Sequence, residues 1–262
     1  MLGQPALIFH LLALIGAYIT VFWLISLLVR NSAIMDIGWG LGFVLVTAYA
    51  YYYEAVNIPR QMLHVLMVAL WGLRLTLHIG YRNWGLPEDW RYAKWRAAHP
   101  DTWWWRSYLK VFLLQGMVMA VVMLPLMAVQ YAPVPDQWTL WDSVGVALWV
   151  IGFGFEAIGD YQLLRFRKYR RSEDDVLETG LWRFTRHPNY FGETALWWGF
   201  GVMAAGVGAW WTLISPVLMT YLLLRVSGVA MLEKGLQDRK PAYAAYIRRT
   251  PAFFPWFPQK DA

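Results

Sequence analysis

Apolar and polar residues fall along this chain in long blocks. Apolar runs lie near 7–29, 37–56, 62–80, 108–131, 141–160, 192–209 and 211–230, each close to the roughly 17 to 25 residues that an α-helix needs to cross the hydrocarbon core of a bilayer. The pattern predicts an all-α integral membrane protein, a bundle of about seven transmembrane helices. Nothing basic precedes the first run, it is too long for the apolar part of a signal peptide, and no small-residue cleavage site follows it. It is therefore expected to remain as a helix. The break at Gly206, Gly208 and Trp210–Trp211 is so short that helices six and seven are expected to form an antiparallel hairpin.

Lys and Arg are distributed unevenly between these runs. One set of loops holds Arg30, then Arg82, Arg91, Lys94, Arg96 and Arg106, then Arg165, Arg167, Lys168, Arg170, Arg171, Arg183 and Arg186, and finally the basic C-terminal tail. The opposite set holds only Arg60. Because basic loops stay inside, the N-terminus is expected outside and the C-terminus in the cytoplasm, which the odd helix count also requires. The loop 81–107 and the tail 232–262 are long enough to fold over the cytoplasmic mouth. Tyr243, Tyr246, Phe253, Phe254, Trp256 and Phe257 give the tail packing groups, while Pro251, Pro255 and Pro258 keep its end extended.

Composition supports the membrane reading. The 262 residues are 58% hydrophobic and 15% charged, with a mean hydropathy of +0.35, outside the range of soluble domains. No Cys is present, which removes disulfides, thiolate nucleophiles and cysteine metal sites. The five His lack metal-ligand spacing, so no metal is expected. The net charge of +6 lies in the loops on one side, which points to membrane lipids and not to nucleic acid.

Ionisable groups inside a span are costly and need a partner or a function. Arg74 and His78 share a face of helix three and lead to Arg82 and Asn83; Glu156 and Asp160 share a face of helix five, with Arg167 seven residues after Asp160. Glu193 opens helix six, and Arg225 follows Tyr221 by four residues in helix seven. Pairs such as Asp160 with Arg225, or Glu193 with Arg74, could serve only to join helices. The segment Arg186-His187-Pro188-Asn189-Tyr190-Phe191-Gly192-Glu193 places Asn189 and Glu193 on one helical face beside the basic loop. Interfacial anchoring accounts for the Arg, Tyr and Trp there but not for that pair. Acids at 174, 175 and 178 distinguish the loop from a polybasic lipid patch and suggest a folded element. Its Arg residues, next to a helix N-terminus, suit phosphate and pyrophosphate. There is no P-loop, and Gly152-Phe-Gly154, like Gly38, Gly40 and Gly42, is read as close helix packing, which excludes a Rossmann site.

The stretch Gly180–Glu193 with Trp197-Trp198-Gly199, together with Asp160-Tyr161-Gln162, Glu88-Asp89-Trp90-Arg91-Tyr92, Ser227-Gly228, Tyr243-x-x-Tyr246 and Thr250-Pro-Ala-Phe-Phe-Pro255, resembles the bacterial branch of the steroid 5α-reductase family. The resemblance runs from about residue 30 to the end. It implies a single membrane-embedded reductase domain over 1–262 in the bacterial inner membrane, with residues 1–131 on the substrate side and 132–262 binding cofactor at the cytoplasmic face. The implied reaction is NADPH-dependent reduction of a Δ4-3-oxo-steroid, or a similar enone, that enters from the bilayer. Asp160, Arg167, Asn189, Glu193 and Arg225 match the family's cofactor-contacting positions, and Arg82, Asn83, Arg186, His187, Tyr190 and Tyr246 are added as further expected contacts.

Such chemistry needs a donor at the carbonyl oxygen, where enolate charge develops. The family resemblance implies a carboxyl near the start of helix two and a Tyr in helix three. Asp36 matches the first, and a cap preceding Ile37 is its structural alternative. The Tyr is missing: alignment on Arg74 puts Leu70 or Trp71 there, leaving His78, Tyr49 or Asp36 alone as the donor. The competing functions are an S-adenosylmethionine-dependent membrane methyltransferase, which shares the Arg-His-Pro-x-Tyr pattern, and a non-catalytic lipid binder or transporter.

Overall fold

The computed structural model describes residues 4–54, 59–132, 137–226, 228–229, 233 and 241–259. Ser227 and tail residues 234–240 lie outside the described residues. No strand occurs among those described, and the chain divides into two compact units, Met1–Gln137 and Trp138–Ala262.

The first unit contains α1 (Gln4–Val29), α2 (Ile34–Glu54), α3 (Pro59–Asn83), the short α4 (Trp90–Ala98), α5 (Trp103–Ser107), α6 (Leu114–Val122) and α7 (Leu124–Tyr131). A π-helical turn, Tyr108–Leu113, joins α5 to α6. Helices α2 and α3 pack backbone to backbone where Gly40 meets Gly72, since a Cβ on either would collide with the other's carbonyl. Phe43 and Trp71, fully buried and edge to face at 5.4 Å, fill the space beside that crossing. Pro125 lies in the first turn of α7, and the run Trp103–Tyr131 bends there by 45°. Proline removes a backbone donor and clashes with the preceding turn, which accounts for the bend. Arg60, the lone base of its side, is buried and donates to the Gln137 carbonyl at 2.6 Å. That removes it from the surface charge.

The second unit contains α8 (Leu140–Tyr169), α9 (Pro188–Gly206), α10 (Ile214–Tyr221) and α11 (Pro241–Arg249). A capping box starts α8: the Thr139 backbone N–H donates to Asp142 at 2.8 Å, and the Asp142 N–H donates to the Thr139 hydroxyl at 3.3 Å. Helices α8 and α9 run antiparallel along a glycine seam in which Gly145 faces Gly199, Gly152 faces Gly192, and Gly159 faces Pro188. The packing reading therefore holds for Gly152, whereas Gly154 has open space around its Cα. The expected hairpin also forms. Gly208 takes φ +87° in the turn, Gly201 meets Leu213 and Pro216, and the Trp198 indole donates to Thr220 at 3.1 Å.

Among the described residues, four helices are long and apolar enough to cross a bilayer, Ile8–Val29, Ile34–Tyr53, Pro59–Asn83 and Leu140–Tyr169, and the bent run Trp103–Tyr131 brings the count to five if it is one span. Two of the seven expected spans fall short of that length and apolarity for a physical reason. The sixth expected span is α9, 19 residues whose Asn189, Glu193 and glycines dilute its hydropathy, and the seventh is the 17-residue run Trp210–Val226. Leu12, Val21, Leu24 and Leu28 of α1 are exposed, and so are Leu66, Leu70, Leu73 and Leu77 of α3. Apolar faces of that length need lipid as their solvent.

Candidate functional site

In the first unit the polar groups converge on Asp36, the third residue of α2. Asp36 does not cap a helix beginning at Ile37. The helix already starts at Ile34, and in the turn before it Asn31 Oδ1 accepts from the Ala33 N–H at 2.9 Å. The carboxylate serves other partners. Its Oδ1 accepts from the Tyr92 hydroxyl at 2.9 Å and from Gln115 Nε2 at 3.0 Å, and the same Gln115 amide lies 3.3 Å from the Tyr92 oxygen. Oδ2 lies 3.7 Å from the Arg91 guanidinium, beyond hydrogen-bond reach.

Tyr92 arrives on α4, which is strapped to the turn before α2. Glu88 accepts from the Ser32 N–H at 2.6 Å and from Arg96 at 2.8 and 2.9 Å, while the Trp103 indole donates to the Ser32 hydroxyl at 3.2 Å. Asp89 caps α4 through the Arg91 N–H at 2.9 Å and forks the Arg91 guanidinium at 2.8 and 3.2 Å. Burial alone would raise the Glu88 and Asp89 pKa values, but the hydrogen bonds from Arg96 and Ser32 to Glu88, and from Arg91 to Asp89, outweigh it and hold both below the ordinary carboxylate range. Burial, then the charge on Asp36, pushes the Tyr92 phenol upward, so it stays a neutral donor.

The tyrosine that meets Asp36 thus comes from α4 and not from α3. Tyr49, weighed for that part, lies tilted against Tyr53, ring centroids 4.5 Å apart. It lies thirteen residues beyond Asp36 on the same helix, about 20 Å along the axis. His78 is half-buried in α3. Arg82 is exposed at the end of α3 and donates to Asn83 at 3.2 Å. Gln115 was also missed, although it carried a signal, being a side-chain amide inside the otherwise apolar run Val111–Val122.

In the second unit a separate cluster forms where α8 and α9 meet. Asn189 Nδ2 donates to Asp160 Oδ1 at 3.1 Å, joining two of the expected cofactor positions. Glu193, buried one turn further along α9, accepts from the Trp197 indole at 3.0 Å. The next residue, Thr194, has a buried hydroxyl with no hydrogen-bond partner among the described residues. Arg167 is exposed near the end of α8, and Arg225 is exposed in the π-helical turn Leu222–Val226.

Arg186, His187 and Tyr246 act differently: their polar groups turn into the protein and clamp the tail. Arg186 Nε donates to Glu233 at 2.7 Å, and Nη1 donates to the carbonyls of Ile247 and Thr250. His187 Nε2 lies 3.2 Å from the same carboxylate, and its ring stacks on Tyr190 at 5.6 Å. The Tyr246 hydroxyl donates to the Trp182 carbonyl. Burial opposes ionisation of Glu233, yet the hydrogen bonds from His187 and Arg186 prevail and bring its pKa down to about 2. Burial pushes the Tyr243 phenol up to about 12. No group of three or more His, Asp or Glu suited to a metal ion occurs among the described residues.

The profile of a family described as a protein of unknown function (DUF1295) matches residues 22–250. The chain belongs to the DUF1295 family. This DUF1295 chain is 25% identical over 267 residues to an uncharacterized protein of Schizosaccharomyces pombe, covering 90% of this chain and 76% of that one. It is 32% identical over 84 residues to 3-oxo-5-alpha-steroid 4-dehydrogenase 1 of Bos taurus, covering 31% of this chain and 32% of that enzyme. No solved structure matches.

Proposed function

We propose that this protein is an NADPH-dependent reductase of the C=C bond of a membrane-soluble enone, of the Δ4-3-oxo-steroid type, taken up from the bilayer and reduced with cofactor bound from the cytoplasmic side. The observation that carries this is the Asp36–Tyr92–Gln115 cluster at the head of a membrane helix. The partial similarity to a 3-oxo-5-alpha-steroid 4-dehydrogenase supports it.

Reduction at the β-carbon develops negative charge on the carbonyl oxygen, and a preorganised donor there lowers the barrier. Asp36 suits this role because its two oxygens have different surroundings. Tyr92 and Gln115 both donate to Oδ1, fixing the carboxyl plane and leaving Oδ2 as the oxygen that can carry a proton toward a carbonyl. Gln115 also occupies the Tyr92 oxygen, so the phenolic hydrogen is directed at Asp36 and Tyr92 acts through the carboxyl.

The residues of the second unit fit a dinucleotide. The Asp160–Asn189 pair offers donor and acceptor groups for ribose or carboxamide, and the Thr194 hydroxyl is buried without a partner among the described residues. Arg167 and Arg225 present exposed guanidinium groups suited to phosphate. A bound nicotinamide supplies the hydride. In this reading Asp160, Arg167, Asn189, Glu193 and Arg225 contact cofactor, while Arg186, His187 and Tyr246 hold the loop that carries them.

The test is NADPH oxidation by purified protein with a Δ4-3-oxo-steroid, comparing the parent with Asp36→Leu. Loss of turnover with NADPH affinity retained supports the proposal. Near-normal turnover in the variant removes Asp36 from the chemistry, and selective binding of S-adenosylmethionine over NADPH overturns the reductase reading in favour of methyl transfer.

A further inference from the structure

The C-terminal segment presents an unusual surface. Phe254, Trp256 and Phe257 are 73, 72 and 74% exposed, although the backbone that bears them is firmly held. The Arg186 N–H donates to the Pro251 carbonyl at 3.0 Å, the Thr185 hydroxyl to Phe253 at 2.9 Å, and the Trp256 N–H to Phe184 at 2.9 Å. Gln259 returns to the Arg249 carbonyl at 2.9 Å. These rings therefore point outward from an ordered strap, and an ordered apolar patch marks a surface that something covers.

The level of that strap along α8 identifies the cover. The strap is bonded to residues 184–186, immediately before α9, and Pro188 of α9 packs on Gly159 of α8. From Leu140 to Gly159 an α-helix rises about 30 Å at 1.5 Å per residue, the thickness of a bilayer's hydrocarbon core, about 30 Å. At the Leu140 end, Trp138, Trp141, Trp210 and Trp211 are exposed, with Trp141 and Trp210 in edge contact at 5.1 Å. One aromatic girdle thus lies at the first interface, and Phe254, Trp256 and Phe257 form its counterpart one hydrocarbon thickness away. Beyond Gly159, α8 continues for ten residues that include Arg165, Arg167 and Lys168, the composition of a helix that has left the core. Arg183 and Arg248, both exposed, flank the strap with the charge that phosphate groups accept.

We propose that the segment Pro251–Gln259 is an interfacial anchor, with Phe254, Trp256 and Phe257 seated in the phospholipid headgroup layer and Arg183 and Arg248 paired to lipid phosphate. This surface is separate from the proposed reductase chemistry and does not depend on it. Since Thr185 bonds the strap and accepts from the His187 N–H at the head of α9, and Arg186 bonds the strap two residues before that helix, the anchor fixes the height of Asn189 and Glu193 relative to the membrane surface.

The chain has no Cys, so Phe254→Cys and Trp256→Cys each create one labelling site in the intact protein. Each variant is labelled with an environment-sensitive fluorophore and reconstituted into phospholipid vesicles, with Asp174→Cys, in the exposed loop beyond α8, as reference. The expected result is blue-shifted emission at 254 and 256, quenching by headgroup-nitroxide lipids and several-fold weaker quenching by iodide than at 174. Iodide quenching equal to that at 174 overturns the proposal. So does protection from iodide without nitroxide-lipid quenching, which shows that protein, such as a second copy of the chain, covers the patch. Both side chains are solvent-facing, so their removal leaves the core intact, and an unchanged unfolding midpoint confirms this for each variant.

Discussion

Replacing Tyr92 by Phe isolates the hydroxyl that completes the carboxyl site. The ring is 5% exposed and in edge contact with Trp95 at 5.9 Å, and Phe preserves both burial and contact. What disappears is the 2.9 Å donation to Asp36 Oδ1, leaving Gln115 as that oxygen's remaining donor. A hydrogen bond to a charged or developing-charge partner contributes about 1.5–3 kcal/mol. If that energy is expressed at the transition state, turnover falls about 10- to 150-fold. The dissociation constant for NADPH should stay unchanged, because the residues assigned to cofactor belong to the second unit. The assay pairs steady-state NADPH oxidation with equilibrium binding of NADPH. Combining Tyr92→Phe with Gln115→Leu should give a non-additive loss, because both donate to one atom. Wild-type turnover combined with a lower unfolding midpoint would refute the reasoning and reduce the cluster to a strap that fastens α4 to α2.

The difference between what was legible and what was not follows from the range of the interactions. Helical class and membrane character follow from apolar run length, a local property, and Gly38, Gly40, Gly42 and Gly152 announced close packing because a small residue in a span has few other uses. The α9–α10 hairpin was also legible, since so short a break at Gly208 leaves no room for another path. The span count was less so, because run length does not report how Asn189, Glu193 and the glycines dilute the apolarity of α9. Asp36 stood out as an acid at a helix start, but its partner Tyr92 lies 56 residues away on a loop helix, and Gln115 lies 79 away. The bonds of Glu88 and Trp103 to Ser32, themselves long-range contacts, hold α4 and its Tyr92 to the turn before α2. The Arg186-His187 pair depends on equally distant partners: basic residues beside a helix N-terminus read locally as phosphate donors, and the fold sets them against Glu233 and the carbonyls of 247 and 250.

Four further outcomes test the remaining parts of the account. NADPH should bind more tightly than NADH, since the exposed Arg167 and Arg225 can pair the additional phosphate; Asn189→Ala should weaken binding on the order of 1–3 kcal/mol by removing the amide that donates to Asp160, and equal titration curves would refute this. Gly152→Val should lower the unfolding midpoint or abolish insertion, because its side chain would collide with the Leu196 backbone and the Gly192 carbonyl, whereas the same change at Gly154, which faces open space, should be tolerated; equal effects at both sites would reject the seam. The last concerns the tail clamp and pH. Glu233 has a folded pKa of about 2 against an ordinary 4.5, so the folded state holds its proton less tightly than the unfolded state does. The resulting stabilisation is fully present above about pH 4.5 and is lost as pH falls toward 2. The unfolding midpoint of the parent should therefore exceed that of Glu233→Gln by a constant margin at higher pH. That margin should shrink through this window, because protonated Glu233 then resembles the amide. A margin that persists unchanged to pH 2 would show that Arg186 and His187 hold the tail without help from this carboxylate.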